Sequence, residues 1–553
     1  MIPRARRILA GALALAALAT AEEPPGPAVE LPPMIGEEAA TLPPWLYVRT
    51  EDTEYLSRCK EATTRGYVEM ARSRMRWVRS LFPEEMLARS DVPGVAVLAS
   101  QRSKSAANAE VIGEELRAQD AARAGDGYIR TKTAPNMMLI DADAIGVFAY
   151  IDEWEFDCNQ LTISSDYVRH LLMRRTPAPP AWLIDGMMTV YNAVLFRESP
   201  ITLAPLAWHS VEEVRALAKD SGAARTLLPM SELISGTGGA ALHPRIARAQ
   251  SALVVRWALD PRNGVREAFW KFAVQSAAVP ASEAMFQACL GFGYADWRDR
   301  VSDYLPAAVR EHLRLELEKS LPSPPLEIRR ATPNEIARLR GEWERLAVPL
   351  VRHHHPAHAV RYLEQARRTL RRAHDAGDSD PRLFASLGLC EIDAGEPLAA
   401  RGFLESAVAA GVARPRAAYE LARLRWSELN REAATARRTF TAEEIARVLA
   451  PLRAALDQSP LLVDAVGLWA DAWARTSALP GPDDVRILRR GAEQFVADPK
   501  VALRVARALG RHGMAAAAKE VLGAGFLHQR DDAVRAQFAQ MFAALNAPAR
   551  RPE

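Results

Sequence analysis

The feature that most constrains the fold is an interval of 34 residues between two similar segments in the C-terminal half of the chain. The segment "PRLFASLG" begins at Pro381, and "PRAAYELA" begins at Pro415. Further segments that begin at Pro460 and Pro499 fit additional units at irregular intervals. Because each helix pair can bury its apolar face only against a neighbouring pair, this pattern predicts a stacked helical solenoid. A helical bundle without repeats is the alternative.

The length of the chain indicates several domains. A chain of 553 residues exceeds one ordinary hydrophobic core and predicts about three or four domain-sized units. Hydrophobic residues make up 49% of the chain and charged residues 25%, which is typical of a globular protein. With 71 basic and 68 acidic residues, the formal charge is only +3, so no net field attracts nucleic acid or an anionic membrane. We therefore expect no nucleic-acid partner.

The N-terminus has the pattern of a cleavable export signal. Three arginines precede a short apolar run, and a small-x-small site ends at Ala21, which predicts a signal peptide over 1–21. The Pro-rich stretch 22–44 predicts an extended leader. We therefore expect a periplasmic or secreted protein without a transmembrane segment in the mature chain. In an oxidising compartment, a disulfide between Cys59 and Cys158 is one possibility and isolated thiols are the other.

The stretch from Ser164 to Tyr191, "SSDYVRHLLMRRTPAPPAWLIDGMMTVY", predicts two helices joined by a Pro-rich turn. The second helix opens with Trp-Leu-x-acid-Gly. Upstream, helical spacing predicts a long helix from Lys60 to Phe82, and "VPGVAVLAS" and "NMMLIDA" predict buried strands. An α+β domain therefore precedes the helical repeats.

This order of elements resembles the secreted gluzincin-type metallopeptidase-like domains of the peptidase MA kind, in which HExxH is followed by a W-L-x-E-G turn. "RAQSALVVRWAL", from Arg248 to Leu259, resembles their Y-A-Q-S-W-containing helix, with Arg248 in place of an aromatic residue. "FWKF" and "GFGYADWRDRVSDYL" resemble their closing segment. The resemblance covers 45–305 and implies an α+β zincin-like fold. The alternative is that 164–191 is an ordinary helix-turn-helix that does not derive from an enzyme.

The metal ligands of such a domain are replaced in this chain. HExxH places two His one helical turn apart, with the intervening Glu as general base for a zinc-bound water. The resemblance aligns Ser165 with the first His, Asp166 with the Glu and Arg169 with the second His. Asp185 falls on the third ligand, the Glu of W-L-x-E-G. Ser165 is a poor zinc ligand, and the guanidinium of Arg169 stays protonated. The resemblance therefore implies a degenerate site with no catalytic residue, metal or cofactor.

Arg169 suggests how the fold survives without zinc. Loss of the metal would leave Asp166 and Asp185 as an uncompensated acidic pair. We expect the guanidinium of Arg169 to replace the cation by an ion pair with Asp185, Asp166 or both.

An alternative metal set keeps the enzyme hypothesis open. Asp166 and His170 are four residues apart and share a helix face, so with Asp185 they would form an Asp/His/Asp set for zinc. A shift of one residue turns the pair about 100° around the helix, away from the side that Asp185 approaches. An exposed or structural His170 is the simpler interpretation.

The remaining boundaries follow from the helical pattern. A helical linker is predicted over 306–357, and repeats over 358–553. The boundary between the two carries "HHHPAH", a tract that can bind transition metals but is more typical of a solvated connection. Its histidines are His353, His354, His355 and His358. Small residues at Gly388, Ala400 and Ala407 resemble the tetratricopeptide pattern, which implies an all-α solenoid that binds proteins or peptides.

Two classes of function remain. The first is an exported, non-catalytic interaction or scaffold protein, built from a degenerate peptidase-like domain and a helical array. The second is a metal-dependent peptidase that uses Asp166, His170 and Asp185 as altered ligands. The replaced ligands favour the first class.

Overall fold

The chain folds into an α+β region followed by an all-helical region, as the sequence predicts. The structure, a computed structural model, describes residues 29–33, 43–100, 131–133, 136–196, 201–208, 227–316, 324–436 and 439–546. The predicted signal peptide and most of the predicted leader lie outside these residues. Among the helices of the described ranges, none is long and apolar enough to cross a membrane.

The strands of the described residues form three sheets. The bounds of β1 to β11, in chain order, are Val29–Leu31, Leu46–Arg49, Thr53–Ser57, Gly94–Ser100, Thr131–Thr133, Asn136–Ile140, Ile145–Ile151, Val194–Leu195, Ile201–Leu203, Leu313–Leu315 and Ile328–Arg330. β1 pairs with β5, and β9 lies between β8 and β10. The main sheet has the order β11-β2-β3-β4-β7-β6, with β3, β4 and β7 parallel.

The helices begin in the α+β region and continue to the last described residue, Asn546. The bounds of α1 to α9 are Glu61–Leu81, Ser165–Met173, Ala181–Asn192, Met230–Ser235, Gly239–Leu242, Pro244–Leu259, Arg266–Ala278, Glu283–Leu290 and Tyr294–Ala308. The bounds of α10 to α20 are Pro333–His354, Pro356–Asp375, Pro381–Asp393, Pro397–Ala409, Pro415–Ala436, Ala442–Leu456, Val463–Ala474, Pro482–Gln494, Pro499–Arg511, Ala515–Leu527 and Asp532–Asn546.

The main sheet is covered on both faces. Its central strand β4 is a continuous apolar run, because alternate side chains enter two different cores. Val97 faces a cluster that includes Trp343 of α10. Leu98 faces the opposite cluster, which includes Val68 of α1. The sheet therefore lies between α1 and α10.

The segment 306–357, predicted as a helical linker, contributes to the core of the α+β region. β11 pairs with β2 at the edge of the main sheet. Trp343 of α10 packs on Phe148, with ring centroids 5.4 Å apart. The indole Nε1 of Trp343 donates to the carbonyl of Pro33 at 3.0 Å. This hydrogen bond also fixes residues 29–33, which belong to the predicted leader, against α10.

Consecutive helices pack against each other in the C-terminal region. α12 and α14 begin at Pro381 and Pro415, so the predicted interval of 34 residues is the distance in sequence between the starts of two helices. Gly388 of α12 lies against α13, where an added Cβ would come within 2.6 Å of Leu404 Cδ2. The small residue therefore allows the two helices to approach closely.

A buried charge network joins the main sheet to the C-terminal helices. It consists of Asp141, Asp143, Glu342, Arg345, Asp393, Arg414 and Arg416. Arg345 of α10 is fully buried and lies 2.7 Å from Asp141, on the β6–β7 turn, and 3.1 Å from Asp393, at the end of α12. The network therefore connects the sheet to α10, α12 and the start of α14.

The pairing controls the charges of the network. Burial alone would raise the pKa of Asp141, but Arg345 and Arg416 outweigh burial and hold it well below its usual range. The pKa of Glu342 is lowered in the same way. Burial raises the pKa of Asp143, although Arg414 opposes the shift. Asp141 and Glu342 thus stay ionised because their basic partners stay in place.

Further contacts hold the later helices against the α+β region. They join Asp91 to Ser459, Thr176 to Gln494, and Ala278 to His528. Asp91 exchanges two hydrogen bonds with Ser459, at 2.9 and 2.7 Å. Part of the surface of the helical region is therefore occupied by the α+β region of the same chain.

The cysteines are free thiols. Burial raises the pKa of Cys59 and that of Cys390 to about 12, so both stay protonated. Of the two alternatives for Cys59 and Cys158, the structure has the isolated thiols.

Candidate functional site

Two short helices, α2 and α3, carry the residues that the sequence singles out. α2 begins after Ser164, whose hydroxyl accepts a hydrogen bond from Tyr167 N at 3.1 Å and so caps the helix. α3 begins at Ala181, directly after two prolines that cannot continue a preceding helix. The predicted helix, Pro-rich turn and second helix are confirmed.

The Trp-Leu-x-acid-Gly motif fixes α3 in the core. Trp182 and Leu183 are buried. Gly186 lies directly on α6, where an added Cβ would be 2.6 Å from the carbonyl oxygen of Ser251. Only glycine permits so close a crossing of the two helices. This packing leaves Asp185, between them in sequence, on the partly exposed side of α3.

Ser165 and Arg169 lie one turn apart on α2 and both face α3. Ser165 Oγ donates to Asn192 Oδ1 at 2.6 Å. Arg169 Nη1 lies 4.0 Å from Asp185 Oδ1. The two contacts run in opposite order along the helices, so α2 and α3 are antiparallel. The positions aligned with the two His and with the third ligand are therefore on facing sides of the two helices.

The ion pair between Arg169 and Asp185 is open to solvent. The two side chains are 45% and 39% exposed. Asp166 is also exposed. The sequence predicts an acidic pair that needs a compensating cation, but at this exposure water screens most of the charge. The pair sets the local charge of the site more than it stabilises the fold.

We expect the Arg169–Asp185 pair to contribute less than about 1 kcal/mol to the free energy of unfolding. Urea unfolding of Arg169→Ala, Asp185→Asn and the double variant measures the coupling between the two side chains. Arg248→Ala, which removes an exposed arginine from α6, is the matched control. A coupling energy above about 2 kcal/mol would mean that the pair is buried in solution and would contradict this description.

His170 lies on a different side of α2. It lines a cavity together with Tyr167, Leu171 and Arg174. Burial and the nearby charge of Arg174 lower the pKa of His170 to about 4, so the imidazole is neutral at pH 7. Within the described ranges, no three side chains among His, Cys, Asp and Glu come close enough together to hold a metal ion. The structure therefore does not bring Asp166, His170 and Asp185 together as a metal-binding group.

The histidine tract forms the junction of α10 and α11. The rings of His353 and His354 are 4.7 Å apart, and those of His355 and His358 are 5.8 Å apart. His358 is buried. The tract connects two packed helices, and it is not a free segment between domains.

Two cavities lie where α2 and its following turn meet other elements. The first, of about 410 Å³, is the one that His170 lines; its wall includes Asp52, Arg79, Arg89, Asp143 and Tyr167. The second, which we name the seam cavity, measures about 310 Å³ and is lined by Met173, Arg174, Tyr419, Leu462, Asp464 and Phe495. Arg174 and Pro460 line both cavities.

Sequence reasoning identified neither the seam cavity nor the buried charge network. The lining of the cavity extends from residue 142 to residue 495, and no short motif contains it. The local signals were two acidic residues in "IDADAI" and two arginines in "ARPR", which identify a network only once their distances are known.

Comparison of the chain with protein-family models, with curated proteins and with solved structures gives no match in any of the three.

Proposed function

We propose that this chain is an exported, non-catalytic interaction or scaffold protein, built from a degenerate gluzincin-like domain and a tetratricopeptide-like helical array. The observation that carries the proposal is the contact between Arg169 and Asp185. In the alignment with HExxH and W-L-x-E-G, the guanidinium of Arg169 lies beside Asp185, the carboxylate that would be the third zinc ligand. A guanidinium has no lone pair to offer a metal and repels a dication.

The packing around α3 supports the peptidase-like frame. Gly186 allows the close crossing with α6, and Gln250 of "RAQS" is buried, where its side chain donates to Leu228 O at 2.9 Å. These residues hold the helices of the domain in place and are not ligand or catalytic positions of the peptidase motif. In the proposal, the scaffold is retained while the ligands at 165 and 169 are lost.

In this proposal, the partners of the chain are proteins or peptides that bind the helical array. The contacts of Asp91, Thr176 and Ala278 already cover part of that array. Partners would therefore bind the surfaces of α11 to α20 that face away from the α+β region. Export, and with it a periplasmic or secreted location, rests on the signal pattern over 1–21.

Restoring the zinc ligands tests whether α2 and α3 have the arrangement of a gluzincin site. The variant S165H/D166E/R169H/D185E restores HExxH and the third carboxylate on the two facing helices. We expect it to bind one zinc ion per chain, measured by titration with a chromophoric zinc chelator, because the three ligand positions 165, 169 and 185 lie on facing sides of α2 and α3.

A shifted variant is the matched control. D166H/D185E pairs the new side chain with native His170, which is also four residues away but lies on the cavity side of α2. We expect no stoichiometric zinc in this variant. Zinc in the shifted variant and none in the rebuilt one would contradict the frame and favour an ordinary pair of helices.

A further inference from the structure

The seam cavity is bounded by two parts of the chain that are far apart in sequence. Met173 and Arg174, at the end of α2, form one wall, and residues of α14, α16 and the end of α17 form the other. Its volume of about 310 Å³ falls at the lower end of the range for small-molecule sites, which are frequent between domains. A ligand of this site must therefore be small.

Arg174 supplies a cation that faces the cavity. Its Nη2 donates to the carbonyls of Asp141 and Ala142, at 2.5 and 2.6 Å. Among the described residues, Arg174 forms no ion pair with a carboxylate, and its Nε and Nη1 donate no hydrogen bond. Partial burial lowers the pKa of Arg174, although the nearby carboxylates of Asp143 and Asp141 oppose the shift. A partly buried guanidinium whose Nε and Nη1 donate to no described residue favours a carboxylate as its ligand.

The opposite wall carries a carboxylate and a hydroxyl. Asp464 lies in the first turn of α16 and forms neither a hydrogen bond nor an ion pair with another described residue. Tyr419 lines the same cavity, where burial and then the carboxylates of Asp464 and Glu420 raise the pKa of its hydroxyl to about 12. Glu420 is already paired with Arg423 at 2.5 Å. Asp464 is thus the acidic group of the cavity that remains available to a ligand cation.

The rest of the lining is mainly apolar. Its apolar members are Ala142, Met173, Pro460, Leu461, Leu462, Val463 and Phe495. Two polar residues complete it: Thr176, which donates to Gln494, and Arg416, whose guanidinium is already paired with Asp141 and Asp393. Met173 is 58% exposed and Val463 is 37% exposed, so both side chains present apolar surface at this junction. The cavity therefore combines one available charge of each sign with an apolar surface.

We propose that the seam cavity binds a small zwitterion with an apolar side chain, an α-amino acid or a short peptide. Arg174 would bind the carboxylate, Asp464 the ammonium group and the apolar lining the side chain, with the Tyr419 hydroxyl as an additional hydrogen-bonding group. This site is separate from the Arg169–Asp185 pair and does not depend on the proposed function.

Calorimetric titration of the chain from Glu22 onward tests the proposal. The probes are L-leucine, the dipeptide Leu-Leu, 4-methylpentanoate, which lacks the ammonium group, and 3-methylbutylamine, which lacks the carboxylate. We expect L-leucine or Leu-Leu to bind at least about tenfold more tightly than either single-charge probe, because each charge-assisted hydrogen bond is lost separately. Tighter binding of L-leucine assigns the site to free amino acids, and tighter binding of Leu-Leu assigns it to peptides.

Two aspartates provide the matched comparison. Asp464→Asn removes the proposed ammonium ligand, and Asp532→Asn removes an exposed aspartate from the first turn of α20, outside the cavity. We expect about a tenfold or greater loss of affinity in the first variant and none in the second. The proposal is overturned if neither zwitterion binds at millimolar concentration, if 4-methylpentanoate binds as tightly as L-leucine, or if Asp464→Asn binds like the unchanged chain.

Discussion

Replacing Arg345 with methionine is expected to lower the free energy of unfolding by about 3–5 kcal/mol, because it leaves buried carboxylates without their main cation. The side chain of Arg345 is fully buried and contacts Glu342, Asp141 and Asp393 at 2.8, 2.7 and 3.1 Å. Methionine fills a similar volume, so the effect reports the lost charge and not a cavity. Equilibrium unfolding in guanidinium chloride measures it.

Arg352→Met is the control for this prediction. Arg352 lies on the same helix and donates to the carbonyl of Asp393 at 2.8 Å, but it is exposed. We expect a loss below about 1 kcal/mol, typical of a surface arginine. Equal losses in the two variants would contradict the account of the network.

The network also predicts the pH dependence of the Arg345 effect. Asp141 and Glu342 have pKa values below their usual ranges, so the stability that they contribute is present above about pH 4 and is lost as pH falls toward the folded-state values. The difference between Arg345→Met and the unchanged chain should therefore be largest near neutral pH and shrink below about pH 4. A difference that grows on acidification would contradict the assignment.

Replacing Gly186 with alanine is expected to lower the free energy of unfolding by about 1–3 kcal/mol, the usual cost of overpacking. An added Cβ would lie 2.6 Å from Ser251 O and 2.8 Å from Ser251 C. Both are backbone atoms of α6, so the clash can be relieved only if one helix moves. Thermal and denaturant unfolding both report the change.

Gly402→Ala is the matched control, because Gly402 also lies inside a helix but an added Cβ there meets no atom within 4 Å. We expect this variant to be more stable than the unchanged chain by about 0.5–1 kcal/mol, since alanine is the better helix former. A neutral Gly186→Ala variant would indicate that α3 and α6 are farther apart in solution.

The order of the regions was predictable from local patterns. Helical spacing from Lys60 to Phe82 predicted α1, the apolar run before Ser100 predicted β4, and the spacing of Pro381 and Pro415 predicted two helix starts. The role of 306–357 was not predictable, because α10 has a strong helical pattern in either case and only its partner, the main sheet, distinguishes a core helix from a linker.

At the candidate site, the two helices were predictable from local patterns, but the surroundings of their side chains were not. The i,i+4 spacing of Ser165 and Arg169 predicted a shared helix face, and the rotation argument predicted that His170 faces elsewhere. Exposure was not predictable, because it depends on how α2 packs on α3. The presence of Arg174 and Asp464 in the lining of one cavity was also not predictable, because they are 290 positions apart in the sequence.

The most direct test of the proposed loss of catalysis is the zinc content of the chain from Glu22 onward, purified without a His tag, beside the Asp185→Asn variant. Plasma mass spectrometry after dialysis against zinc gives the number of ions per chain. We expect no stoichiometric zinc in either protein, because Arg169 lies beside Asp185, the one carboxylate at the aligned ligand positions. One zinc ion per chain that is lost in Asp185→Asn would contradict it and identify a rebuilt metal site.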